Sequence, residues 1–161
     1  MTYNFCAGPA ALPAAVMQKA QAEMLDWQGL GISVMEISHR SSEYQALTQQ
    51  AEANFRQLMG ISDEFAVLFM HGGASQQFSN IPMSLLQEGG EAEYLTNGIW
   101  SQKAAVEAAR FGKVNNISVV SDNSQGQRQI IAANNWTRSD SPVYTHYTPN
   151  ETIEGLRFAK P

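Results

Sequence analysis

The chain has 161 residues, 43% hydrophobic and 16% charged, with a formal net charge of −5. That length suits one domain able to bury roughly 70% of its unfolded surface, and the composition is globular rather than disordered. The Lys and Arg residues are scattered, which argues against a nucleic-acid surface. The single Cys6 excludes an intrachain disulfide, and no Cys/His spacing suggests a metal site. The opening MTYNFCAGPAALP has no basic region followed by an apolar core, and no apolar run approaches the roughly 20 residues of a membrane helix. The expectation is a soluble, cytoplasmic protein without a membrane or nucleic-acid partner.

In chain order, residues 1–12 read as an extended arm without periodicity. Pro13 can open a helix because its missing N–H is not needed there. Val16, Met17, Ala20, Met24 and Trp27 recur at helical spacing, and Gly29 and Gly31 end that helix. Residues 32–37 are short and read as extended, leading into Ser38-His39-Arg40. Ser42 with Gln45 has capping-box spacing, and Tyr44, Leu47, Ala51, Phe55 and Leu58 mark one face of a second helix that Gly60 stops.

The stretch FAVLFMHGGASQQF (65–78) follows. An unbroken apolar run over 65–70 is what a strand buried on both faces requires, as in a parallel sheet covered by helices. Gly72 and Gly73 allow a sharp turn, and Ser75 can cap the helix predicted from Ser75 to Leu86. Such a turn aims unpaired N–H groups and a positive dipole end at one point. An anion site and a plain strand-to-helix turn both fit this stretch. Pro82 should kink or split the helix.

Beyond it, a strand is predicted over 93–96, ending at Asn97-Gly98-Ile99-Trp100. Ser101 can cap the next helix, with Ala105, Val106 and Ala109 facing inward until Gly112 stops it. Strands at 116–120 and 143–147 flank a polar surface loop at 122–128, and the last strand leads into Thr148-Pro149-Asn150-Glu151-Thr152. The alternation argues for an α/β fold, a mainly parallel sheet flanked by helices.

Ligands of open α/β sheets bind beyond the carboxyl ends of the strands. Three stretches should lie there: His71–Ser75, Asn97–Trp100 and Asn150–Thr152. An anion cradle, an indole and a hydroxyl suit a flat aromatic ligand carrying a phosphate. Each also has a plainer reading. Trp100 can pack the top of the sheet, Thr152 beside Asn150 can be turn chemistry, and His71 can be a hydrogen-bonded structural histidine. Arg40, with His39, can grip a carboxylate or phosphate through its fork, or stand in solvent.

The ordered stretches AGPA, DWQGLGISVMEISHRSSEY, FMHGGASQQF, NGIW and HYTPNETIEG resemble the phosphoserine aminotransferase family, within the fold type I enzymes dependent on pyridoxal 5′-phosphate. The resemblance covers about residues 5–155, with SVMEISHRS and PNET-G its narrowest motifs. It implies that 13–161 is part of a large cofactor-binding domain, incomplete at its C-terminal side, after a 1–12 arm and without the small C-terminal domain. By position, Ala74 and Ser75 match the cofactor-phosphate turn. Trp100 matches the tryptophan that stacks on the ring, and Thr152 the threonine near the ring hydroxyl. Arg40 and His39 match the substrate's acid-binding arginine and its neighbour. Ala7 falls at the glutamate site, where some members carry serine.

The implied reaction exchanges an amino group between glutamate/2-oxoglutarate and phosphoserine/3-phosphohydroxypyruvate, on the route to serine, in a homodimer with active sites at its interface. The lysine that carries the cofactor and the aspartate that pairs with the pyridine nitrogen are expected beyond Thr152. Lys19, Lys103, Lys113 and Lys160 match no such motif, so no catalytic residue is assigned. A catalytically silent fragment, and a related aminotransferase of another amino acid, remain open alternatives.

Overall fold

The computed structural model of the protein describes residues 3–6 and 10–159. The chain divides into two compact units, Met1–Phe69 and Met70–Pro161.

In the first unit, α1 runs Ala14–Ala22 with Pro13 at its N-cap. It ends before Met24 and Trp27, earlier than the periodicity predicts. The chain turns instead through Gln28, Gly29 and Gly31, all with positive φ, and Trp27 N–H donates to the Ile32 carbonyl at 2.9 Å. Residues 32–37, expected extended, hold a 3-10 turn over Val34–Glu36. Ser33 Oγ accepts from Met35 N–H, while the Glu36 carboxylate accepts from Ser33 N–H at 2.8 Å. This reciprocal pair stabilises a tight turn that strand propensity alone cannot anticipate. The long helix α2 spans Ser42–Met59. Its cap is Ser41 rather than Ser42, with Ser41 Oγ accepting from Tyr44 N–H at 3.2 Å. Gly60 stops it in the left-handed conformation (φ 64°), as expected.

The apolar run 65–70 is not a strand. Strand geometry requires a neighbour's N–H and C=O groups. Among the described residues no segment pairs with this one, so the run is irregular and its large side chains are exposed, Leu68 by 73%. Its start is fixed from α2 by Arg56, whose guanidinium donates to the carbonyls of Ser62 (3.1 Å) and Phe65 (3.0 Å).

The second unit carries the sheet. Helix α3 (Gly73–Leu85) starts two residues before the predicted position and continues through Pro82, which is buried. Strand β1 (Glu91–Thr96) is central in a three-stranded parallel sheet ordered β2-β1-β5, with β2 at Lys113–Ser118 and β5 at Thr145–Tyr147. Glu91 lies opposite Lys113, and Glu93 opposite Thr145. Helix α4 (Ile99–Ala108) joins β1 to β2. A hairpin of β3 (Val120–Asp122) and β4 (Arg128–Ile130) frames the predicted polar loop, and a smaller hairpin pairs β6 (Asn150–Glu151) with β7 (Leu156–Arg157). The α/β class with a parallel sheet and flanking helices is as expected.

Burial follows from β1's central place. Ala92 and Tyr94 pack with Leu86, Ala104, Ala105 and Ala108 on one face. On the other, Leu95 joins Ile117 and Val119. Ala105 faces inward as predicted, while Val106 and Ala109 point outward, because the buried stripe of α4 is Ser101, Ala104, Ala105 and Ala108. Glu93 is also fully buried. Arg138 donates to it through Nε (3.1 Å) and Nη2 (2.8 Å), with further donors from Ser139 N–H and Thr145 Oγ1. Burial pushes the Glu93 carboxyl up, but these hydrogen bonds outweigh it and leave the group below its usual range.

Candidate functional site

Two helices of the second unit begin near the carboxyl ends of its strands, and their first turns are treated differently. At α4, every free N–H of the first turn is satisfied from within the chain. Ile99 N–H donates to Glu154 Oε1 (2.9 Å), Trp100 N–H to Glu151 Oε2 (3.0 Å) and Ser101 N–H to Glu151 Oε1 (2.7 Å). Ser101 is not the cap. That place is taken by Gly98, and Ser101 Oγ instead reaches back to accept from the N–H groups of Asn97 and Gly98, each at 3.0 Å. Gly98 must lack a side chain, since a Cβ there would stand 2.6 Å from Glu151 Cδ and 2.6 Å from Glu154 Oε2. Two carboxylates thus occupy the positive end of α4 and exclude any other anion from it.

At α3 the corresponding groups are open. The N-cap Gly72 (φ 86°) has no side chain to offer, and Ser75 sits inside the first turn. Among the described residues, no acceptor is bonded to the N–H groups of Gly73, Ala74 or Ser75. A Cβ on Gly73 would meet nothing within 4 Å. A helix start with free donors and space before it is an anion cradle.

This cradle opens into a cavity of about 440 Å³ lined by Gly72–Ser75, Phe78, Trp100, His146–Asn150 and Thr152. The structure therefore brings Ala74, Ser75, Trp100 and Thr152 together on one cavity. Trp100 and Thr152 are also bonded to each other, indole Nε1–H donating to Thr152 Oγ1 at 3.2 Å. Lys103 lies 4.6 Å from the Trp100 ring centroid, yet it does not line the cavity. His71, expected as a structural histidine beneath the turn, is exposed and makes no side-chain hydrogen bond among the described residues.

His39 and Arg40 belong to the first unit. Both are exposed, and Arg40 makes no ion pair among the described residues. Its N–H donates to Ser38 Oγ at 3.3 Å, and its carbonyl accepts from Gln45 Nε2 at 3.2 Å. Ala7 lies outside the described residues.

Two residues at or beside the cavity were missed in the sequence. His146 is the middle residue of β5, stacked on Tyr94 (centroids 4.8 Å apart) and edge-on to Phe78 at 6.1 Å. Its Nε2 is buried without a partner, and burial holds its pKa below the usual histidine value. Strand alternation could have found it, because His146 shares the face of Tyr144 and not that of Tyr147. Glu151 is fully buried at the first turn of α4, and no local signal marks it, because its partners lie 50 and 51 positions away.

An open helix start, an indole and a hydroxyl around one cavity have the chemistry that suits an anionic group carried on a flat ring. The model of the aminotransferase class-V family matches residues 2–160, and the chain belongs to that family. Among curated relatives, the phosphoserine aminotransferase of Stutzerimonas stutzeri is 55% identical over 156 residues, 97% of this chain and 43% of the relative. That of Pseudoalteromonas translucida (strain TAC 125) is 56% identical, with the same coverage. Among solved structures, the pyridoxal-phosphate-bound phosphoserine aminotransferase of Trichomonas vaginalis superposes with a TM-score of 0.87 at 37% identity, covering 99% of this chain and 45% of that one. The enzyme of Bacillus circulans subsp. alkalophilus gives 0.85 at 41% identity, covering 99% and 44%. The chain thus spans less than half the length of these relatives.

Proposed function

We propose that this chain is the N-terminal part of a phosphoserine aminotransferase and that its cavity holds pyridoxal 5′-phosphate. The observation that carries the reading is the open first turn of α3 facing the same cavity as Trp100 and Thr152, while the first turn of α4 is already filled by carboxylates. The residues fit the group. N–H donors at Gly73, Ala74 and Ser75 and the Ser75 hydroxyl suit a phosphate, the indole of Trp100 suits the ring, and Thr152 Oγ1 suits a ring hydroxyl. When bound, this cofactor supplies a conjugated ring that takes up electrons from the α-carbon of an amino acid. The part in hand binds and orients. Lys19, Lys103 and Lys113 do not line the cavity and are not assigned the reacting amine.

In this reading Arg40 and His39 hold the acidic end of the substrate, and Ala7 falls at the glutamate site. The substrates are glutamate/2-oxoglutarate and phosphoserine/3-phosphohydroxypyruvate. Residues 13–161 form part of the large domain after a 1–12 arm, the protein is a cytoplasmic homodimer, and a small C-terminal domain completes it. Among the described residues no helix is long and apolar enough to cross a membrane.

Titration with pyridoxal 5′-phosphate and with unphosphorylated pyridoxal, followed by visible absorbance, tests the site. The phosphorylated form should bind at least about tenfold tighter, the worth of one charge-assisted hydrogen bond or more, and inorganic phosphate should displace it. Equal affinity for the two forms refutes the cradle. A second reading, a cofactor binder without turnover, is favoured because among the described residues no lysine lines the cavity. Borohydride reduction followed by intact mass decides it, and an adduct at one specific lysine of this chain overturns it.

A further inference from the structure

We propose that Glu151 is the positioning residue of the ring-binding wall, and this inference rests on the cavity being a cofactor site. The wall has two members, Trp100 in the first turn of α4 and Thr152 in the turn after β6, 52 positions apart. Their own link is a single bond at 3.2 Å between an indole N–H and a hydroxyl, which alone sets a distance and not an orientation.

What fixes them is the adjoining carboxylate. Glu151 immediately precedes Thr152, is fully buried, and places Oε2 3.0 Å from Trp100 N and Oε1 2.7 Å from Ser101 N. Ser101 Oγ adds a third bond to Oε1 at 2.6 Å. The backbone of Glu151 is held in turn, paired with Leu156 in the small hairpin and accepting from Gly155 N–H at 2.9 Å. The Trp100–Ser101 peptide and the Glu151–Thr152 peptide are therefore joined at two points, once through the carboxylate and once through the indole. Two attachments fix a relative orientation, where one would leave a swivel.

Gly98 is the steric counterpart, since only a residue without a side chain leaves room for both carboxylates above the turn. Glu154, the other carboxylate, reaches only Ile99 N–H and does not touch Trp100. The assignment thus falls on Glu151 alone.

Glu151→Gln keeps the shape but turns one acceptor into a donor, facing N–H groups that can only donate. Two measurements on the full chain test the idea, with inorganic phosphate and pyridoxal 5′-phosphate as probes. Without ligand, the Trp100 indole ¹H–¹⁵N resonance should shift in E151Q, while that of Trp136, bonded to the Ile131 carbonyl, stays in place. With ligand, pyridoxal 5′-phosphate should bind about tenfold more weakly, and the competition constant of inorganic phosphate, which reads α3 alone, should stay within about twofold. A merely structural role would weaken both probes alike, and that result overturns the proposal, as does an unmoved Trp100 resonance. If E151Q does not fold, Glu151→Asp serves, shortened by one methylene with its charge kept, and the same two outcomes apply. If the unaltered chain binds no pyridoxal 5′-phosphate, the cofactor reading falls while the Trp100 resonance still decides whether Glu151 orients the wall.

Discussion

Gly72→Ala should destabilise the chain by two separable amounts. Gly72 adopts φ 86°, where an L side chain costs about 1–2 kcal/mol. A Cβ there would also stand 2.6 Å from Gln76 Cβ and 2.7 Å from Gln76 Cδ, so Gln76 must leave its place. Forced repacking of this kind adds about 1–3 kcal/mol, for a total near 2–5 kcal/mol. Gly126→Ala is the control. Gly126 has a similar φ of 73° but open space around it, so only the conformational amount applies. Gln76→Ala in the Gly72→Ala background should remove the contact with Cδ but leave that with Cβ at 2.6 Å, and so recover only part of the steric loss. Urea unfolding at constant m measures all four chains. The reasoning fails if Gly72→Ala costs no more than Gly126→Ala, or if Gln76→Ala recovers nothing.

Ser75→Ala should weaken pyridoxal 5′-phosphate about 10- to 100-fold in a visible titration, the worth of one hydrogen bond to a charged oxygen, and leave thermal stability nearly unchanged. Arg138→Ala removes two donors from fully buried Glu93, while Ser139 N–H and Thr145 Oγ1 remain, so a loss of roughly 1–3 kcal/mol is expected in urea. Because the folded Glu93 pKa lies below its unfolded value, that stability is present above about pH 4.5 and is lost as pH falls through the folded pKa. The Arg138→Ala deficit should therefore shrink in acid. His146 also has a depressed folded pKa, so the unfolded chain takes up its proton first. Stability should fall as pH drops below the unfolded histidine value, by at most about 1.4 kcal/mol per pH unit, and His146→Gln should flatten thermal melts between pH 7 and 5.

The sequence showed most of the second unit, because its strands and helices are specified by neighbours close in the chain or by patterns that repeat. β1 and α4 appeared in the expected order, though β1 begins two residues earlier and α4 begins at Ile99 rather than after Ser101, and Gly60 ended α2 because no other residue sits as easily in the left-handed region. The apolar run at 65–70 was misread for an instructive reason. Its composition satisfies burial on two faces, but a ladder is made by its partners, and these are not among the described residues. Local side-chain bonds caused the smaller errors. Ser41 outcompeted Ser42 for the cap, Ser33 with Glu36 made a turn of a predicted extension, and Ser101 served the turn from inside the helix. Val106 and Ala109 were placed inward from apolarity alone, whereas the burial stripe selects small residues that let α4 approach β1. Ala74, Ser75, Trp100 and Thr152 could be gathered in advance by motif order, but Glu151 could not. A carboxylate beside an asparagine and a threonine reads as turn chemistry until the helix it closes is seen.

That closing carboxylate also sets an order of events during synthesis. Glu151 stands 51 positions after Trp100, and at roughly 5–20 residues per second the ribosome needs about 3–10 s to cover the interval. Until then the first turn of α4 lacks the carboxylate that closes it in the folded chain. Closing a loop of this length costs about 3.5 kcal/mol of chain entropy before any fixed constant, a cost that the bonds around Glu151 must offset together. The distinction between the helix that receives a phosphate and the helix that does not is therefore made late, by a residue that arrives after both.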